Sequence, residues 1–330
     1  MTETSKVGLA VIGLGWWGGV LATAIGANED TELVSCFARN PDARQAFADK
    51  HGGRPADSFE AILSDPAVDG VVLATPHSTH AQQIAAAAAA GRHVFVEKPM
   101  TLSVAEARDS VAAARSAGVI LQVGHNKRRQ AGNRWLHTEL AAGTLGQLQS
   151  IEANVSAPMA FKPGLPAWRQ DASELPAGGM TPLGVHMIDT ILHLGGPVRE
   201  VFCWSRRVAG RIAVDDVTMV LLQLDGGGLA YLSTQIATPQ VTTVNVYGTE
   251  AAAYSEADGT RLFVQRRGAP YRDEVPVERI DTVRDEIAEF ARCIRSGDEP
   301  ETGGAQGLAV VEVFEAVVRS AASGTPEPVG

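Results

Sequence analysis

The stretch Val7-Gly8-Leu9-Ala10-Val11-Ile12-Gly13-Leu14-Gly15-Trp16-Trp17-Gly18-Gly19 decides how this chain folds. A short apolar run leads into a glycine turn and then into a helix start, the order of a phosphate-binding strand, loop and helix. Gly13 permits the tight turn, Gly15 lets backbone approach a pyrophosphate, and Gly18 lets the helix close on the strand, with the helix N-terminus facing the anion. Leu14, Trp16 and Trp17 occupy the intervening positions of the same dinucleotide-binding turn. Such spacing also occurs in plain strand-to-helix turns. Here further strand and helix units follow it, which favours the nucleotide reading.

Working outward, strands are expected at Val7–Ile12, 32–37, Gly70–Leu73, His93–Val96 and 119–123. Helical stretches lie between them, among them the alanine-rich 79–90 and 103–117, where Ser103 and Glu106 have the spacing of a capping box. This alternation gives an α/β chain whose residues 1–124 form a Rossmann domain, a doubly wound parallel sheet. After Gly124 the rhythm changes. A strand at 148–155 and a Pro/Gly-rich segment over 158–179 lead to a helix at 182–194, and loops of that length are usually functional. Runs at 198–207, 217–224, 229–236, 241–247 and 261–265 then read as a large, mostly antiparallel sheet, with Asp225-Gly226-Gly227-Gly228 as a hairpin turn. Two late helices, 283–295 and 307–322, close an α+β substrate and oligomerisation domain over 125–330. The tail 324–330 reads as frayed.

The 330 residues carry 28 Lys and Arg against 38 Asp and Glu, a formal net charge of -10, which gives no basic surface for nucleic acid. Cys36, Cys203 and Cys293 are odd in number and widely spaced, so buried thiols in a reducing compartment are expected. The amino end, 1–7, is polar, and no run approaches the ~20 apolar residues of a membrane span, so a cytoplasmic protein is expected. A large sheet covered by helices on one face exposes the other, and a homodimer or homotetramer through that face is the economical arrangement.

An acid commonly ends the second strand of such domains and binds the ribose 2′-hydroxyl of NAD. This chain has Ala38-Arg39-Asn40, with an arginine to pair with a 2′-phosphate and no carboxylate to repel it, so NADP is preferred over NAD. Thr75-Pro76-His77-Ser78-Thr79-His80 follows the third strand at the edge where ligands bind, and Glu97-Lys98-Pro99 ends the fourth at the same edge. Thr75, Pro76, His77 and His80 are read as polar and backbone groups beside the cofactor. No third ligand accompanies the two histidines, so no metal is expected.

These motifs, with Gly91-Arg92-His93-Val94-Phe95-Val96 before Glu97, Gly124-His125-Asn126, Gly178-Gly179-Met180, and Gly184-Val185-His186-Met187-Ile188-Asp189, resemble the Gfo/Idh/MocA oxidoreductases in order along nearly the whole chain. The resemblance implies a nicotinamide-dependent dehydrogenase or reductase acting on CH–OH groups of a sugar, inositol or related polyol. Glu97 and Lys98 would meet the nicotinamide end, with Lys98 also on the substrate oxygen, and His186 would be proton donor or acceptor. Elementary chemistry agrees: hydride loss from a carbinol needs a base near neutral pH and a cation beside the oxygen. The two residues, far apart in the chain, are expected to meet at one alcohol oxygen.

The resemblance also implies roles for Trp168 and Arg169 near the nicotinamide and substrate. His125, Asn126 and Arg128 begin the second domain and reach either the cofactor or the substrate. Family members commonly carry an aspartate four residues before the histidine, where this chain has Pro182. Thr181-Pro182 reads instead as an N-cap and first-turn proline. Asp189, three residues after His186 on the same face, either orients His186 or holds a substrate hydroxyl. His193 is read as a helix-end or interface residue. Two other readings stand beside the polyol enzyme: reduction of an imine or dihydrodiol-type substrate, and a non-catalytic nucleotide sensor.

Overall fold

The computed structural model describes residues 6–330, so the polar residues before Lys6 lie outside the described residues. The chain forms two compact units, one running to His125 and taking in Asp281–Leu308, the other comprising Asn126–Ile280 and Ala309–Gly330.

The first unit contains, in order, β1 Val7–Ile12, α1 Trp16–Ala27, β2 Thr31–Phe37, α2 Pro41–His51, β3 Arg54–Pro55, α3 Phe59–Ser64, β4 Gly70–Leu73, α4 His80–Ala89, β5 His93–Val96, α5 Val104–Ala117 and β6 Leu121–Val123. The strands form one parallel sheet ordered β3-β2-β1-β4-β5-β6, the doubly wound pattern. Leu9, Val11, Val72 and Phe95 of the sheet are buried with Leu21 and Ile25 of α1. Ser103 caps α5 by accepting the Glu106 amide hydrogen, and Gly118 closes the helix in the left-handed region.

The second unit contains α6 Ala131–Ala141, β7 Leu148–Ser156, α7 Gly184–Gly195, β8 Val198–Arg206, β9 Val217–Leu224, β10 Leu229–Gln235, β11 Val241–Gly248, β12 Ala251–Glu256, β13 Arg261–Arg266 and β14 Asp273–Val275. In the chain α8 Thr282–Ser296 follows, which belongs to the first unit, then α9 Gly304–Ser323, whose residues from Ala309 belong to the second, and β15 Glu327–Pro328. Nine strands form a sheet ordered β14-β13-β12-β11-β7-β10-β9-β8-β15, antiparallel except for the β7–β10 pair. Along β9 burial alternates: Thr218, Val220, Leu222 and Leu224 point inward, whereas Met219 and Leu221 stand exposed.

Four features differ from the sequence reading. Helix α8 packs with the first unit rather than extending the second domain, because Phe290 sets its ring edge-on to Phe95 at 5.9 Å, and Ile287 and Ala291 complete that core. Strand β12 escaped notice because Ala251-Ala252-Ala253 has low strand propensity, which pairing to β11 and β13 on both sides overrides. The tail is not frayed: β15 pairs with β8, and Arg319 donates to the Pro328 carbonyl at 2.7 Å. Helix α7 begins at Gly184, and the Thr181 hydroxyl donates to the Pro176 carbonyl at 2.6 Å instead of capping it.

A left-handed turn at Ala257-Asp258-Gly259 joins β12 to β13. Asp258 accepts from Lys127 Nζ at 2.6 Å, Gln130 at 3.3 Å and Gln240 at 3.2 Å, fastening the start of the unit to this hairpin. Burial alone would raise its carboxyl pKa, but the Lys127 charge and the hydrogen bonds more than offset that and hold it below the usual aspartate value. A carboxyl depressed on folding stabilises above its unfolded pKa and loses that contribution as pH falls through the folded value. Asp258→Asn is therefore expected to melt a few degrees below wild type at neutral pH, the gap closing below about pH 4. A gap that persists unchanged in melts at acid pH contradicts this assignment.

Candidate active site

In the first unit the loops after β1, β4, β5 and β6 meet at the carboxyl edge of the parallel sheet. Gly13 has φ +94°, and a Cβ there would lie 2.4 Å from the Ala74 carbonyl oxygen, so only glycine fits between these loops. A Cβ on Gly18 would lie 2.1 Å from the Gly13 carbonyl oxygen, so this glycine brings α1 against the turn. Gly15 differs: it stands at the N-cap, no side chain caps α1, and a Cβ there would meet nothing within 4 Å. The open cradle beside an uncapped helix start fits the pyrophosphate of a dinucleotide. Leu14 packs against the core, and Trp16 is 75% exposed at the mouth of the turn.

Trp17 reaches Glu97. Its indole N–H donates to Glu97 Oε1, while the Lys98 amide donates to Glu97 Oε2 at 3.3 Å. Glu97 is buried, and these donors keep its carboxylate satisfied. The glycine turn is thus tied directly to the peptide that carries Lys98. Gly124 is close too, since a Cβ there would lie 2.8 Å from Glu97 Oε1.

His77 and His80 are both buried. His77 lies in the short turn His77–Thr79, whereas the His80 ring sits between the Pro99 and Thr75 carbonyls at 3.0 and 3.1 Å. His80, expected beside the cofactor, braces these two loops. The Thr75 hydroxyl donates to Gln83 at 2.6 Å. At the end of β2, Asn40 accepts from the amides of Asp42 and Ala43 and so caps α2, while Arg39 is exposed.

His186 belongs to the second unit, in the first turn of α7, and is 7% exposed. Gly184 is the first residue of α7, and the Met180 side chain packs against it, Sδ 2.0 Å from where a Cβ would stand. Gly178-Gly179 packs similarly tightly: a Cβ on Gly178 would lie 2.0 Å from the Asp215 carbonyl oxygen. Asp189 does not stand open for a relay. Both its oxygens accept from Arg128, at 3.1 Å from Nε and 2.5 Å from Nη2, and both residues are buried. In the sequence reading Asp189 either orients His186 or holds a substrate hydroxyl, and Arg128 reaches the cofactor or the substrate; the structure pairs the two, joining α7 to the short turn Asn126–Arg129. His193 stacks on His137 at 4.0 Å, and burial and nearby Arg128 push its pKa down to about 4. In the 158–179 loop the Arg169 guanidinium lies 4.4 Å over the Trp168 ring. His125 is buried at the end of the first unit. Among the described residues, no group of three or more His, Cys, Asp or Glu is arranged to hold a metal.

A doubly wound sheet with this glycine cradle, followed by a unit built on a large mixed sheet, defines a two-unit, nucleotide-binding oxidoreductase. The family described as "Oxidoreductase family, NAD-binding Rossmann fold" matches residues 7–125, and the "GFO/IDH/MocA C-terminal domain" matches residues 134–254. The chain belongs to the Gfo/Idh/MocA oxidoreductase family. It is 28% identical over 331 residues to 1,5-anhydro-D-fructose reductase of Ensifer adhaerens, covering 98% of this chain and 97% of that one. It is 32% identical over 225 residues to trans-1,2-dihydrobenzene-1,2-diol dehydrogenase of Sus scrofa, covering 67% and 65%. A solved structure of a candidate NADPH-dependent oxidoreductase from Desulfitobacterium hafniense superposes with TM-score 0.93 at 30% identity, covering 99% and 98%.

Gly18→Ala forces a carbon into the Gly13 carbonyl, and calorimetry should show dinucleotide affinity falling at least about tenfold, equivalent to ~1.4 kcal/mol. Gly26→Ala is the control, since a Cβ there meets nothing within 4 Å. Equal affinities for the two variants contradict the packing argument.

Proposed function

We propose that the protein is an NADP-preferring oxidoreductase acting on the carbinol or carbonyl carbon of a sugar, inositol or similar polyhydroxylated ring. The observation that carries this reading is the Gly13–Gly18 cradle with Lys98 tethered to it through Glu97 and Trp17. Similarity to 1,5-anhydro-D-fructose reductase along nearly the whole chain supports a sugar-like substrate. When bound, the nicotinamide supplies or accepts the hydride. Lys98 places a cation at the substrate oxygen, favouring negative charge as it develops there. His186, in the first turn of α7, exchanges the proton of that oxygen. Arg128 and Asp189 hold α7 in position through their buried pair rather than contacting substrate. Thr75, Pro76, His77 and Asn126 are assigned to the dinucleotide, and His125, Trp168 and Arg169 to the substrate.

NADP preference rests on Arg39 and Asn40. The Asn40 side-chain oxygen is committed to the α2 cap, so the remaining amide group is a donor, and exposed Arg39 adds a cation for a 2′-phosphate. The NADPH attribution of the Desulfitobacterium hafniense protein supports the same choice. The protein is assigned to the cytoplasm, where its three buried free cysteines stay reduced; burial and Asp215 push the Cys203 thiol up to about 12. Exposed Trp204, Met219, Leu221 and Leu229 on the nine-stranded sheet support a homodimer or homotetramer through that face. A second reading, a dihydrodiol-type substrate, is favoured by Pro182 in the aspartate position and by similarity to the Sus scrofa dehydrogenase.

With NADPH and 1,5-anhydro-D-fructose, followed at the nicotinamide absorbance, Lys98→Ala is expected to lower kcat by about 10²-fold or more while the dinucleotide Kd stays within about threefold. Retained turnover contradicts the role given to Lys98. Arg39→Asp should raise the KM for NADPH at least about tenfold and spare that for NADH. An unchanged NADPH-to-NADH preference contradicts the role given to Arg39.

A further inference from the structure

His80 opens α4 with 0% exposure, and each ring nitrogen faces a backbone carbonyl: Nδ1 lies 3.0 Å from Pro99 O and Nε2 lies 3.1 Å from Thr75 O. A carbonyl oxygen only accepts. A neutral imidazole has a single N–H, so it serves one of these oxygens and turns a lone pair toward the other; the imidazolium donates to both. We propose that His80 is a positioning residue held as a buried imidazolium, which bolts the Thr75 loop to the Pro99 carbonyl and so fixes the placement of Lys98.

Several influences oppose a charge here. The ring is wholly buried, it stands at the N-terminal end of α4, and the His77 ring meets it edge-on at 5.7 Å. The helix end presents only a fractional charge, whereas each N–H of an imidazolium makes an ionic hydrogen bond with an oxygen aimed at it. The oxygens are themselves held in place. The Thr75 hydroxyl is fixed to Gln83, and the Thr79 hydroxyl donates to Thr75 Oγ1 at 2.9 Å, so that loop cannot turn its carbonyl away without breaking both contacts. Around Lys98, the peptide is gripped upstream by Glu97, which accepts its amide hydrogen, and downstream by His80 on the Pro99 carbonyl. Removing the downstream grip leaves the cradle for the dinucleotide intact but lets the lysine drift, and displacement of a reacting group by about 1 Å costs on the order of 10²-fold in rate.

The kinetic consequence rests on the reading of Lys98 given above; the charge state does not. Protein labelled with ¹⁵N-histidine, with His80 assigned by its absence in His80→Gln, should show both His80 ring nitrogens protonated at neutral pH. One protonated and one bare nitrogen would overturn the proposal. With NADPH and 1,5-anhydro-D-fructose, His80→Gln and His80→Leu should each lower kcat about 10- to 100-fold with the KM for NADPH within about threefold. Unchanged kcat in a folded variant overturns the positioning role; where neither variant folds, His80 is assigned in the wild-type protein by through-bond correlation from its backbone amide to its ring, and that spectrum decides the charge state. An active Lys98→Ala beside a doubly protonated His80 would defeat the reading of Lys98 and leave the buried cation standing.

Discussion

The close approach of loops at the carboxyl edge of the parallel sheet is the constraint on which the rest of the structure depends. Backbone from the β1, β4 and β6 loops comes so near its neighbours that Gly13, Gly18 and Gly124 have no space for a side chain. Gly15, at the uncapped start of α1, instead has open space beside it. The same closeness lets Trp17 reach Glu97 across 80 residues of sequence. A carboxylate buried at such a place would be costly without donors. With an indole N–H and the Lys98 amide supplied, it becomes a rigid link instead.

The second unit uses charge pairing for the same end. Arg128 and Asp189 form a two-point ion pair between a short turn and α7, and both are buried. Removing either partner would strand a charge in the interior, so the pair fixes the register of the helix carrying His186. Gly178, whose Cβ would meet the Asp215 carbonyl oxygen, keeps the turn ahead of that helix close to its neighbour. Orientation of the imidazole is therefore a property of the backbone around it as much as of its own contacts.

Much of this was legible in the chain itself. The glycines could be read because each answers a local backbone demand, and the strands of the first sheet could be read because burial on both faces leaves continuous apolar runs such as Gly70–Leu73 and His93–Val96. What escaped the reading depends on which distant segments meet. Nothing in the sequence near Arg128 announces Asp189, 61 residues away, and nothing near Thr181 says that its hydroxyl will turn back to Pro176. Helix α8 lies late in the chain, and its place with the first sheet is set by distant partners: Phe290 against Phe95, Asn28 donating to the Arg284 carbonyl, and Arg295 paired with Asp30. His80 shows the same limit: the sequence placed it at the right edge of the sheet, but its two carbonyl partners become visible only when the Thr75 and Pro99 loops are brought together.

The most direct measurement is a crystal structure of the protein grown with NADPH. The account predicts pyrophosphate oxygens on the backbone amides that follow Gly15, the 2′-phosphate beside Arg39, and the nicotinamide end beside Lys98. A dinucleotide bound away from the Gly13–Gly18 turn, or seated there with its nicotinamide remote from Lys98, would contradict it.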